Sequence, residues 1–353
     1  MTSRTPRRFA WMLLLAGLGV GANAVSLPAQ TLSFSPIGTI SGPLDLVRAH
    51  GSFAYVTRGS TLTVYDISNP AAPARRGSYE LPEKVWGFTV IGPLAYAAAG
   101  HSGMWIVDVS DPDNLTLRGS VKTPGQAKNV AVSGEHAVVA DHMSGVDVID
   151  ISDLDAPATL GSVYTDGYAR DVAMFEEQAY AVDHPAGFYV LDMTRDDPLD
   201  PVGSLQSASA PRHVEVIAAN PDVAVLVGGV PYDPLRVLRT EDRPDDPRGT
   251  LQLYDVSDPA APALITTFPT PGNAQRAEII ETLAYVADGP TGLSVVDLSD
   301  PASPEVVGTY QTRHSARDVA VADTAVLVLD GTIRRGSHTH EDGDVIILRR
   351  TEN

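Results

Sequence analysis

The strongest constraint on this chain is an internal repeat. Asp66-Ile67-Ser68-Asn69-Pro70 returns as Asp108-Val109-Ser110-Asp111-Pro112 and as Asp150-Ile151-Ser152-Asp153. It returns again as Asp192-Met193-Thr194, Asp255-Val256-Ser257-Asp258-Pro259 and Asp297-Leu298-Ser299-Asp300-Pro301. The leading aspartates lie 42, 42, 42, 63 and 42 residues apart, and the odd interval is one period plus an insertion of 21. A degenerate last copy, Asp344-Val345-Ile346-Ile347-Leu348, keeps the apolar strand and has Arg349 in the aspartate slot. A fixed period of this length means like units that bury their faces only against one another.

Each period repeats the same parts in the same order. A Val-Ala-Val-like strand, as at 130–132 and 319–321, ends in a turn. Ala54-Tyr55-Val56, Ala95-Tyr96-Ala97, Ala179-Tyr180-Ala181 or Ala284-Tyr285-Val286 follows, and then an apolar strand running into the aspartate. After the proline comes a fourth strand around Gly77-Ser78, Gly119-Ser120, Gly161-Ser162, Gly203-Ser204 or Gly308-Thr309. Four short strands per period, with turn residues between them and no helical pattern, predict an all-β chain of propeller blades, four antiparallel strands each. Near-continuous apolar runs fit sheets covered on both faces. Seven units fit, the seventh (316–349) one strand short. Residues 32–40, whose Pro36-Ile37-Gly38-Thr39 matches Val306-Val307-Gly308-Thr309, are expected to complete that blade as its outer strand. Closing the seven-bladed ring in this way removes free sheet edges. Insertions are expected at 228–248 and 331–343, both between second and third strands.

The apolar-apolar-Val-Asp-Val-Ser-Asp-Pro run, best kept at 105–112, 251–259 and 293–301, resembles the repeat of the LVIVD family of bacterial and archaeal β-propellers. The resemblance covers residues 32–350. It implies the propeller fold and an extracytoplasmic location and leaves the activity open, because one fold hosts many functions. Arg4, Arg7 and Arg8, the apolar stretch 9–20 and Ala22-Asn23-Ala24 read as a signal peptide over 1–24, cleaved after Ala24. Residues 25–353 are then expected to form one secreted or periplasmic domain, a monomer. The run at 9–20 is shorter than the roughly 20 residues of a span, and no second apolar run appears, so no membrane insertion is expected after cleavage. The absence of cysteine excludes disulfides, thiolate metal sites and a cysteine nucleophile. Acidic residues outnumber basic ones by 44 to 25, and the net charge of −19 becomes −22 when the three arginines of 1–24 are removed. That balance argues against nucleic acid as a partner.

In a propeller the loops between second and third strands and the connections between blades gather at one face. His142 and His184 lie eight residues before Asp150 and Asp192. His101 lies seven before Asp108, in a loop read as one residue shorter, so all three are expected at one register on adjacent blades. His213, His314, His338 and His340 map to the same face, and His50 and His136 to opposite turns. Converging imidazoles suit a transition metal, which makes His101, His142 and His184 candidate ligands for one Zn, Cu, Mn or Fe ion. The plainer alternative is that duplication copied a solvated loop histidine.

Lys128, Arg170, Arg212 and Arg317 hold equivalent positions at the start of the first strand in four units, with Gln275, Trp86 and Asp45 in the other three. Four cations on one face of so acidic a protein suggest an anion clamp, with His213 and His314 beside it, for a small-molecule, saccharide or protein ligand. The alternative is structural pairing with Asp141, Asp171, Asp183, Asp288 and Asp318. Tyr168, Tyr189 and Tyr232 are within reach of the same rim. The repeated Asp-x-Ser-Asp reads as turn chemistry, since calcium needs more oxygen ligands than each copy offers. No Ser-His-Asp triad, phosphate loop or dinucleotide fingerprint occurs at usable spacing, so no catalytic residue is assigned. Two functions stay open. One is a propeller that binds a ligand or protein partner at the His/Arg-rich face. The other is an enzyme using that face, either dependent on a transition metal or a lyase or hydrolase of uronate-like saccharides with a His or Tyr base.

Overall fold

The computed structural model describes residues 31–184, 187–195, 199–206, 209–231, 249–323, 325–333 and 340–352. The leader expected over 1–24, residues 232–248 and 334–339 of the two expected insertions, Tyr232 among them and His338 likewise, lie outside the described residues. Every regular element among the described residues is a β-strand. Five antiparallel sheets of four strands follow one another, over 46–80, 87–121, 129–163, 168–205 and 209–269. The remaining strands make one sheet of eight. It contains an antiparallel quartet over 276–310 and a second quartet of Ser315–Ala322, Ala325–Ile333, His340–Glu352 and Leu32–Ile40. Leu32–Ile40 runs antiparallel along His340–Glu352 and meets Glu305–Tyr310 through the single parallel pair Leu32↔Gly308.

Burial follows the repeat. In the second strands, Ala54, Ala95, Ala179 and Ala284 are fully buried, and Tyr55, Tyr96, Tyr180 and Tyr285 nearly so. A fourth strand such as Ala74–Glu80 is mostly exposed or half-buried, so each sheet is driest at its middle strands. The apolar cores lie between sheets. Leu62 and Val64 of the first sheet pack with Phe88, Ala97 and Val107 of the second. Like clusters recur at each following boundary, and the series returns to its start where Val47, Ala54 and Val56 pack with Leu327, Val345 and Ile347. Burial of apolar area between sheets is therefore what holds them side by side.

The turn motif and the outer glycines fix how neighbours dock. The Asp66, Asp108, Asp150, Asp192, Asp255 and Asp297 carboxylates each accept the N–H two residues on, at 2.8–2.9 Å. These are Asx turns, which end the third strand locally. The Pro112 carbonyl then accepts the Gly77 N–H of the preceding sheet at 2.6 Å. A Cβ on Gly77 would stand 2.7 Å from that oxygen, so the close approach requires glycine. Gly203 meets the Pro259 carbonyl in the same manner, and Gly38 of the N-terminal strand meets that of Pro70.

Candidate functional site

The first strands of the units are Leu46–His50, Gly87–Ile91, Asn129–Ser133, Tyr168–Phe175, Ser209–Val216, Arg276–Ile280 and Ser315–Ala322. Each lies against the next, and the last lies against the first. At one end of this circle Asp45, Trp86, Lys128, Arg170, Arg212, Gln275 and Arg317 line a single cavity of about 240 Å³. A larger, more open hollow of about 450 Å³ lies beside it and shares Asp45 with it, but it lacks the ring of like charges. The arginines owe their place to β-bulges. Pairing skips from Ala169 to Asp171, from Pro211 to His213 and from Ala316 to Asp318, which leaves Arg170, Arg212 and Arg317 as the extra residues. A bulge re-aims the side chain it carries, here to the rim.

The mouth is crowded with positive charge. Lys128 Nζ lies 3.6 Å from the centre of the Trp86 ring, and Lys84 Nζ lies 5.4 Å from it. Lys84 also pairs with Asp45 at 3.0 Å, and Arg212 donates to Gln275 Oε1 at 3.1 Å. Burial, then the charges of Arg170 and Lys84, push the Lys128 ammonium down to about 8. Burial takes Arg317 down to about 10. Burial at both groups, and the neighbouring cations at Lys128, disfavour the protonated forms until an anion is present.

Beneath the rim lies a belt of buried polar groups that the sequence reading did not assemble. Asn129 Nδ2 and the His213 ring both donate to the Asp171 carboxylate, and Val214 N–H donates to it at 2.9 Å. His213 Nε2 lies 2.9 Å from the Ala277 carbonyl and 3.1 Å from Glu215 Oε1. Arg276 approaches Asp318 at 3.3 Å, Arg48 pairs with Asp318 at 2.9 Å, and Arg48 Nε donates to the Phe88 carbonyl at 2.9 Å. Nearly every boundary between first strands is thus crossed by a polar link. The exception, between the second and third, is a close approach of Gly87 to Asn129 and the Lys128 carbonyl. Burial would raise the Asp171 carboxyl, but His213 overrides it and holds it at about 2. Burial and Arg276 push the His213 imidazole down, and Asp171 and Glu215 outweigh them, so its value is raised. Burial first, then Glu215, pushes the neighbouring Glu278 up to about 8. A carbonyl accepts only, so Nε2 is protonated. With Asp171 on Nδ1, His213 is an imidazolium with both N–H groups engaged, not a base or metal ligand. One signal could have found the belt: the residue after Lys128, Arg170, Arg212, Gln275 and Arg317 is polar in strands that are otherwise apolar.

The expected histidine register needs correction. Loops 98–104 and 140–146 have equal length, since Ala98↔Met104 and Ala140↔Val146 close both. Gly100 and His142 share left-handed φ values of 56° and 57°, and each bridges to the next sheet, to Ala127 and Ala169. His142 therefore corresponds to Gly100, and His101 to Met143, one residue out of step. His101 Nδ1 lies 3.0 Å from the Gly125 carbonyl, while His142 stacks on Tyr168 with centroids 5.0 Å apart. His184 ends its strand opposite Tyr168. His314 lies outside the cavity wall, its N–H held by Asp330 at 2.9 Å. Among the described residues no three His, Cys, Asp or Glu side chains are grouped to hold a metal ion. Of the aspartates considered as partners for the rim cations, Asp171 and Asp318 belong to the belt. Asp141, Asp183 and Asp288 instead accept the loop N–H groups of Gly125, Gly167 and Gly272.

A circle of antiparallel four-stranded units with cores between them defines a β-propeller. The β-propeller domain of Cps50 (Swd1) from Myceliophteria thermophila is similar in fold, with a TM-score of 0.67 over 90% of this chain and 99% of that one, at 10% identity. The LVIVD repeat model matches residues 42–80, 83–123, 124–165, 166–198 and 271–312, more than half of the chain, and the protein belongs to the LVIVD-repeat family. None of the curated proteins compared with the chain matches it significantly.

Proposed function

We propose that the protein is an exported, monomeric seven-bladed propeller that binds a small anionic ligand at the cation-ringed mouth. The observation that carries this reading is the convergence of Lys128, Arg170, Arg212 and Arg317 on one cavity beside Trp86. Their charge runs against a chain whose net charge is −19, so the mouth is a local attractor for anions. A cavity of about 240 Å³ is smaller than the pockets of drug-sized ligands. It suits a monosaccharide-sized carboxylate or sulfate ester, or one acidic end of a larger saccharide or protein. Seven blades, the last completed by Leu32–Ile40, are supported by the return of the inter-sheet cores to their start and by Gly38 docking on Pro70 as Gly77 docks on Pro112. The basic, apolar, Ala-x-Ala order of residues 1–24 supports export to the periplasm or beyond.

Trp86 gives the test a reporter. Titrating glucuronate and inorganic sulfate at pH 7 should change its fluorescence, and Trp86→Phe should abolish the change. Arg170→Ala combined with Arg317→Ala should weaken binding by about tenfold or more, the scale of one or two charge-assisted hydrogen bonds. Affinity should fall as pH rises through about 8, where Lys128 loses its charge. Binding unchanged in the double variant would overturn the reading. The enzyme alternative draws on His142, whose imidazole is lowered by burial and by Lys128 and Arg170 and so stays neutral beside the mouth. Dialysis against a chelator separates the two. Anion affinity should survive it, whereas a loss restored by Zn, Cu, Mn or Fe would favour a metal site at His101, His142 and His184.

A further inference from the structure

The chain contains 22 arginines and three lysines, Lys84, Lys122 and Lys128. At the rim, three of four equivalent cations are arginine, so positive charge alone does not account for lysine at the fourth. An arginine cannot give up its proton in a protein, whereas a lysine amine that is partly buried beside other cations does so readily and becomes a nucleophile. Lys128 meets those conditions. It is half-buried in the cavity wall, shares the rim with Arg170, and faces the Trp86 ring whose other neighbour is Lys84. Burial and the same two cations bring its ammonium to about 8.

We infer that Lys128 is a reactive amine that condenses at the cavity mouth with small carboxylates bearing a carbonyl group, 2-oxo acids above all. The carboxylate recognition rests on the anion-binding reading above, with Arg170 nearest in sequence to supply it. The neutral Nζ attacks the carbonyl carbon to give a carbinolamine. Two N–H bonds and one C=O bond are then exchanged for a C=N bond and one water, with no change of oxidation state. The Trp86 face is the flat wall against which the planar imine lies.

The test is reductive trapping on the purified protein. Pyruvate and sodium cyanoborohydride at pH 8, followed by peptide mass mapping, should place the reduced adduct on Lys128. The yield there should exceed that on Lys84 or Lys122 by about tenfold, as for an activated over an ordinary amine. Lys128→Arg should remove that adduct. Arg170→Ala should reduce trapping of pyruvate and leave trapping of uncharged propanal unchanged. Equal labelling of the three lysines would overturn the inference, and so would propanal labelling Lys128 as readily as pyruvate does. Lactate, which has no carbonyl to condense, separates the two claims. Lactate binding without any pyruvate adduct sinks the amine chemistry alone, and absence of both sinks the anion site as well.

Discussion

At the scale of single residues, the third sheet holds a buried acid pair where the sixth pairs an aspartate with a serine. Ser294 Oγ donates to the Asp288 carboxylate at 2.9 Å in the sixth unit. The corresponding residue in the third is Asp147, fully buried beside Asp141. Burial, then the Asp141 charge, pushes the Asp147 carboxyl up to about 7. Its folded value lies above the 3.8 of an ordinary aspartate, so the folded protein retains a proton that the unfolded chain releases. Stability is therefore lost as pH rises from about 4 through about 7. Asp147→Ser keeps a donor and removes the titration. At pH 8 it should melt above the parent by about 2 °C or more, with the gap closing near pH 4, as calorimetry across pH would read. Parallel pH profiles for the two proteins would refute the assignment. The rim cations were legible in the sequence because charge recurs at one offset in the repeat. The acid pair and the belt were not, since a lone Asp147 or Arg276 is read as solvated until the partner strand is known.

At the scale of elements, the docking of each outer strand on the next turn depends on a missing side chain. Gly77→Ala would drive a Cβ into the Pro112 carbonyl and strain the hydrogen bond that oxygen accepts. It should cost about 1–3 kcal/mol, as overpacking does. Ser78→Ala beside it, in an exposed strand, should stay within about 0.5 kcal/mol in the same denaturant titration. The repeat made these strands and their glycines legible, because period and turn chemistry are local. Loop register was less so. Reading the loop of His101 as one residue shorter put His101 in step with His142, whereas the backbone aligns Gly100 there through a shared left-handed φ. The bulges at Arg170, Arg212 and Arg317 were likewise invisible, because a bulge is a relation between two strands.

At the scale of the whole molecule, the strand Leu32–Ile40 carries the proposed closure. Ile40 is buried in the core shared by the first and last units, and Leu32 in the core shared by the last two. Deleting 32–40 should expose His340–Glu352 as an edge and open both cores, giving aggregation or a broad melt at lower temperature. A cooperative melt at the parent temperature would rule out closure by this strand. The same pairing has a mechanical side. Leu32 lies directly opposite Glu352, so the two strand ends that leave the sheet do so at one point on its rim. A pull applied between them peels the antiparallel pair open one rung at a time instead of shearing all its rungs together. If this strand closes the ring as proposed, the ring has a seam there, and tension finds it first.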